Sequence, residues 1–347
     1  MTLYLKNATY VDWKTLTFSN SHLAVEEQGS DLLKILDQFP AVSDLKPGDQ
    51  ILDCRGKLVT KSFGCGHHHI YSTLARGMPA PKKSPENFLE VLEYIWWNID
   101  KKLDLEMIEA SALASALYCA KNGVTFVIDH HASPFAVKGS LSVLQEAFKK
   151  VGISHLLCYE ISDRDGEEST DQGLEETAEF LAAGKQGLVG LHASFTVGNE
   201  TLTKAVDLAV KYDSGIHIHV AEDKADQEHC EKNYNKRVVE RLADSGALEF
   251  SKTILGHCVH LNEQEQKLLR DSKAWVVENI ESNLNNNVGL ADYGKLGDRI
   301  MLGTDGMHSD MIRSRKSAFF VGQTTEGIDF DKCYQRFRNV HTYLAEN

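Results

Sequence analysis

The sequence predicts an α/β fold: a (β/α)8 TIM-type barrel preceded by a small β appendage. Three observations point there. From about residue 56 onward, short apolar runs alternate with amphipathic helical stretches, a pattern that implies parallel strand pairing. Eight apolar runs can be counted, and eight parallel strands close a barrel. Several runs end on His or Asp, and strand tips at the C-terminal face are where such a barrel builds its site.

The strands are expected at Lys57–Phe63, Val124–Asp129, Ile153–Glu160, Leu188–His192, Ile216–Val220, Thr253–Gly256, Ala274–Val277 and Ile300–Gly303. Helices are expected at Leu105–Asn122, Ser140–Val151, Leu174–Ala183, Glu200–Tyr212, Lys236–Ser245 and Glu263–Ser272, with a last one at Cys333–Leu344. Gly123, Gly152 and Gly215 follow helical runs, where a residue tolerant of positive φ ends a helix cheaply. A doubly wound open sheet is the competing architecture. No GxGxxG follows an early strand, which argues against a dinucleotide fold. The run Asn283-Leu284-Asn285-Asn286-Asn287 reads as a loop whose side chains satisfy backbone groups.

Residues 1–55 differ in texture. Leu3–Leu5, His22–Val25 and Gln50–Asp53 are short strand candidates, and Pro47-Gly48-Asp49 is a turn signal. The expected division is a small β-sandwich-like appendage, 1–55, and the barrel, 56–347.

The chain has 347 residues, 42% of them hydrophobic, enough for a large core, and a formal charge of −13. The acidic balance argues against a general nucleic-acid or membrane-surface binder. The N-terminus lacks the basic and apolar regions of a signal peptide, and no apolar run approaches the ~18 residues of a membrane span. Seven scattered Cys without a CxxC pair suit a reducing compartment. A soluble cytoplasmic protein is expected.

Chemistry concentrates in three segments: Gly66-His67-His68-His69, Ile216-His217-Ile218-His219-Val220-Ala221-Glu222 and Leu302-Gly303-Thr304-Asp305-Gly306. Alternate residues of a strand share a face, so His67 and His69 can point at one ion while His68 points away. A lone HxH is as readily a chance run or a capping loop. His217 and His219 repeat the spacing within an apolar strand, and a buried imidazole needs a partner. Glu222, just past the strand, could reach a substrate, which favours His219 as ligand and leaves His217 as a hydrogen-bonded residue one layer deeper. Asp305 ends a buried strand, where a carboxylate is paired or ligates metal unless it caps the next helix. His192 and His257 also close strand candidates, and each alone is more often structural. Together, strands one, four, five, six and eight deliver His or Asp at one end. Three imidazoles and a carboxylate suit zinc or a similar divalent ion.

Long stretches resemble the amidohydrolase superfamily, in its aminohydrolase/chlorohydrolase branch and most closely its SsnA-type aminohydrolases. They include His67–Gly77, Trp96-Trp97 with Leu103-Asp104, Ile128–Pro134, Gly139–Ser142, His192–Val197 and Leu302–Met311. The resemblance implies a barrel with one divalent ion, zinc or alternatively iron, held by His67, His69, His219 and Asp305. It implies Glu222 as proton shuttle, His257 as a hydrogen-bond partner of the metal-bound water or of the substrate group polarised by the metal, Asp305 as base as well as ligand, and His192 as a substrate contact. Arg76 matches a family Arg expected to be structural. His131 and Trp97 are further candidate substrate contacts, the alternatives being a strand cap for the former and core packing for one of the two Trp residues. The implied reaction is hydrolysis of a non-peptide C–N bond, with deamination of a purine-, pyrimidine- or triazine-like ring preferred. A cyclic amidase or imidazolone-type hydrolase, a chloro-hydrolase and an idle metal-binding barrel are the rivals. The implied partner is a small heterocycle, with neither nucleic acid nor membrane, and a homodimer is compatible. Two departures stand out. Lys61-Ser62 occupies the place of a family Pro-Gly, and Glu278 that of a strand-seven His, where it could alter pocket charge. Family members also continue beyond the last barrel helix and complete a sandwich with the N-terminal strands, so an exposed strand edge is expected.

Overall fold

The computed structural model describes residues 1–26 and 33–347. It divides into two compact units, Met1–Ser62 and Phe63–Asn347.

The first unit is one sheet. Its strands are β1 (Thr2–Val11), β2 (Phe18–Glu26), β3 (Leu33–Leu36), β4 (Gln50–Asp53) and β5 (Leu58–Val59). The order is β3-β2-β1-β4, with β5 also on β1. β1 and β2 pair antiparallel, while β4 and β5 run parallel to β1. Leu5, Ala8, Tyr10, Leu23 and Cys54 form a small core, and Ile35, Ile51, Leu52 and Leu58 are exposed.

The second unit is the predicted barrel. Its strands are β6 (Phe63–His68), β7 (Val124–His131), β8 (Ser154–Tyr159), β9 (Val189–Ala193), β10 (Ile216–Val220), β11 (Ile254–His257), β12 (Trp275–Glu278) and β13 (Ile300–Leu302). Parallel pairing joins β6 to β8 and β9 to β13. Parallel bridges Leu157–Gly187 and Ile161–Leu191 link the β8 and β9 segments, and His68–Asp305 closes the ring.

The first barrel strand departs from the expected Lys57–Phe63. Leu58-Val59 belongs to the N-terminal sheet, and the barrel strand starts at Phe63. The reason lies in Gly64 and Gly66, which have no side chain to extend the apolar pattern but permit close approach inside a strand. A Cβ on Gly64 would lie 2.5 Å from Val340 Cγ1, and one on Gly66 would lie 2.9 Å from the Leu302 carbonyl oxygen. Gly64→Ala is therefore expected to cost about 1–3 kcal/mol by overpacking. Chemical denaturation checks this, and Val340→Ala in the same chain should recover much of the loss because the two sites touch.

Helices alternate with the strands as expected, with several differences, among them a helix, Met311–Thr325, that was not expected. The helix Glu167–Ala182 starts earlier than expected because its first turns are polar. Lys224–Tyr234 lacked an apolar stripe: its buried residues are Asp226, Gln227 and Cys230. Among the described residues, no helix is long and apolar enough to cross a membrane.

Ile128, Cys158, Leu188, Ile254, Trp275, Val277 and Met301 form a core joined by Val340 and Tyr343 of the last helix, Phe330–Glu346. Along β12, Trp275 and Val277 alternate with Val276 and Glu278. Glu278 accordingly turns to the helix layer and pairs with Arg336 at 3.1 Å. It does not line the cavity described below, so it does not set that cavity's charge as the sequence had suggested.

Candidate active site

The strand tips converge on one cluster. Ligand atoms of His67, His69, His219 and Asp305 all lie within 4.8 Å of one another, and all four residues are buried. His67 Nε2 is 3.2 Å and His69 Nε2 2.9 Å from Asp305 Oδ1, and His69 Nε2 is 3.1 Å from His219 Nε2. His68 leaves the cluster and meets Ser309 Oγ at 3.0 Å.

The remaining ring nitrogens set the orientation. His69 Nδ1 donates to the His130 carbonyl and His219 Nδ1 to the His192 carbonyl, each at 2.7 Å. A carbonyl only accepts, so in both rings Nδ1 carries a proton and Nε2 is the nitrogen directed at the cluster, a lone-pair nitrogen whenever the ring is neutral. His67 Nδ1 lies 2.9 Å from His217 Nε2, which makes His217 a buried support one layer down. Burial lowers His67 to about 3 and holds His219 well below its ordinary value. Both are thus neutral imidazoles, the metal-binding form. Asp305 overcomes burial at His69 and raises it to about 9. Burial works against ionised Asp305, but the charge of His69 and hydrogen bonds from His67 and His69 hold it well below the carboxylate range.

Left-handed backbone recurs at the strand tips, at Ala221, at His257 (φ 67°) with the adjoining Cys258 (φ 53°), and at Asp305. Ala221 has φ 45° and Asp305 φ 51°, conformations that a non-glycine residue holds only when its surroundings impose them. At Ala221 the imposing group is Asp226, whose carboxylate accepts from the Ala221 and Phe195 amides at 2.9 and 3.0 Å. The reversal brings Glu222 into the cavity lining beside His219. Glu222 Oε2 lies 3.6 Å from His257 Nε2, and Asn286 Nδ2 donates to Oε1 at 3.4 Å. Burial, opposed by His257 and reinforced by Asp305, pushes the Glu222 carboxyl up to about 7. His257 Nδ1 donates to Asn283 Oδ1 at 2.8 Å, and the Ser282 hydroxyl donates to Asp305 Oδ2.

Ser282, Asn283 and Asn286 were not singled out as site residues. The Asn run was expected to be a loop, but a short helix, Ile280–Asn285, carries Ser282 and Asn283 to Asp305 and His257. The usable signal was the placement of these amides directly after a strand, at the level of the other ionisable tips. Glu160 and Arg164 were also missed. His130 Nδ1 meets Glu160 Oε2 at 3.1 Å. His69, His130, Glu160 and His219 form a second close set that shares two donors with the first.

The cavity over the cluster is lined by His69, His219, Glu222 and Asp305, by His192, Glu160 and Arg164, and by Phe88, Leu92, Trp96, Trp97 and Phe195 among others. Both Trp residues line it, although adjacent helical positions diverge, because the backbone passes through a π-helical turn, Leu92–Trp96. His131 is a correction. Strand alternation turns it away from the cavity, where its Nε2 meets Ser133 Oγ at 2.9 Å, while His130 turns into the barrel, its Nδ1 against Glu160 and its Nε2 beside the Leu191 and His217 carbonyls. Arg76 donates to the Met307 carbonyl at 2.7 Å.

Residues 59–335 match the model of the amidohydrolase family. The chain belongs to that family. It is 28% identical over 293 residues to a 5-methylthioadenosine/S-adenosylhomocysteine deaminase of Syntrophomonas wolfei, covering 79% of this chain and 64% of that relative. The chain thus spans just under two thirds of that relative's length. Its fold is shared with guanine deaminase of E. coli (TM-score 0.78, 18% identity, 97% of this chain and 82% of the other). It is also shared with a zinc-bound adenosine deaminase of Xanthomonas campestris (TM-score 0.77, 18% identity, 96% and 80%). The family is metal-dependent, and in this amidohydrolase the four converging donors, three imidazoles and one carboxylate, fit a divalent ion.

Proposed function

We propose that this amidohydrolase hydrolyses the exocyclic C–N bond of an aminated heterocycle. Water adds to the ring carbon, the C–NH2 bond breaks, ammonia leaves and the ring gains a carbonyl. One observation carries the reading: the four donors, a carboxyl raised by burial to about 7 and a cleft lined by aromatic side chains all meet in one cavity. The deaminase relatives favour the same reaction.

His67, His69, His219 and Asp305 would hold the ion, with zinc the preferred metal. A bound divalent ion makes hydroxide available from water near neutral pH. Asp305, fixed by the Ser282 hydroxyl, takes a proton. Glu222 gives a proton to the ring nitrogen beside the reacting carbon and passes another to the departing amine. His257, held at Nδ1 by Asn283, stabilises the tetrahedral centre by accepting through Nε2 from the hydroxyl added to the ring carbon. Phe88, Trp96, Trp97 and Phe195 bind the planar ring and exclude water.

Metal analysis of purified protein and ammonia release from a panel of aminated purines, pyrimidines and triazines test the proposal. Near-stoichiometric metal and ammonia from at least one ring are expected. Loaded protein that releases none from any ring overturns it.

A further inference from the structure

Part of the cavity lining has no role in that chemistry. Arg164, on the loop after β8, is nine-tenths buried, its side chain only 9% exposed. Its guanidinium carbon lies 5.1 Å from the Trp97 ring centre. Nη2 donates to Asp100, and Nε donates to Asp165 Oδ2 at 2.9 Å. Nη1 is buried and has no hydrogen-bond partner among the described residues. Trp97 Nε1 is in the same condition. A buried N–H without an acceptor is costly, and Arg164 and Trp97 both line the cavity, where a ligand oxygen can supply the acceptor. Glu160 lines the same cavity, with His130 on one of its oxygens. His192 is held at Nδ1 by Thr196 Oγ1 at 2.6 Å, which leaves Nε2 available.

The charges select among oxygens. Arg164 is neutralised by Asp100 and Asp165, Asp165 also takes Lys101 at 2.8 Å, and Glu160 adds a further carboxylate. Two cations thus face three carboxylates. A carboxylate or phosphate on the substrate would meet a guanidinium whose charge is already spent, beside Glu160. A neutral carbonyl suits Arg164 Nη1, and a neighbouring ring N–H suits the Glu160 carboxylate.

Resting on the deaminase reading, we propose that Arg164 and Glu160 recognise a lactam edge. The substrate is then an aminated ring that also carries a carbonyl beside a ring N–H, with no anionic substituent. Buried polar groups built for a hydrogen bond reject the analogue that lacks it.

The test uses the zinc-loaded full chain. Ammonia release is compared for 2-amino-6-oxopurine and 2-aminopurine, and binding of 6-oxopurine and purine is compared by calorimetry, which needs no variant. We expect the oxo ring to be preferred by about 100-fold or more in kcat/KM and in affinity. Arg164→Lys, which keeps the charge and loses the fork, should raise KM for the oxo ring more than it lowers kcat, and bring the preference to within about threefold. Equal handling of both rings by the wild type, or an equal loss on both in Arg164→Lys, overturns the lactam assignment. If another aminated ring still releases ammonia, the deaminase reading survives that result. Absence of ammonia from every ring removes the deaminase reading itself.

Discussion

Glu222→Gln is expected to keep its metal and lose about 10^2- to 10^4-fold in kcat, the usual contribution of a positioned acid–base group. Glu222 is not one of the four converging donors, so metal content should match the wild type. Gln can still accept from Asn286, so the local fold should persist. What the amide cannot do is hold and release a proton. Burial has raised the carboxyl to about 7, where both protonation states are accessible near neutral pH. The reaction needs both states, one to protonate the ring and one to collect the proton again. Metal content and ammonia release measured on the same preparation decide the matter. Undiminished turnover with full metal would remove Glu222 from the mechanism.

The barrel was legible because its strands are apolar runs with helices between them, and the converging donors because each sits at the tip of such a run. Periodicity alone separated His67 and His69 from His68. The first strand was misplaced because Gly64 and Gly66 have no side chain to carry a pattern, and their reason is a contact with Val340 and Leu302, far away in sequence. The support around the site was hidden for a related reason. Asn283, Asn286 and Ser282 have no periodic signature, and their partners His257, Glu222 and Asp305 come from three other segments. Either of His130 and His131 could have lined the pocket and His131 was chosen, but strand parity decides which of two adjacent residues faces inward, and parity depends on where the strand begins. Glu278 was misjudged likewise: its place at a strand tip suggested the pocket, while its parity sends it to Arg336.

That last pair supports the second large prediction. Arg336 is 3% exposed at its side chain and lies between Glu278, 1% exposed, and Glu326, 3% exposed. Arg336→Ala leaves two buried carboxylates without their cation, a loss of about 3–5 kcal/mol. For a domain of this size that lowers Tm by about 10 °C, measurable by calorimetry. Arg336 does not line the cavity, so turnover well below the transition should change little. The pH dependence adds a check. Burial, reinforced by Glu326 and opposed by Arg336, pushes Glu278 up to about 7 from its ordinary 4.5. The folded chain then binds the extra proton between those values, so this group's contribution is full below about 4.5 and is lost as pH rises through about 7. Glu278→Gln has no such proton. Its stability relative to the wild type should therefore rise across that window and level off above it. A pH-independent difference would show that Glu278 is ionised throughout, and that Arg336 and its two carboxylates form a fully charged triad.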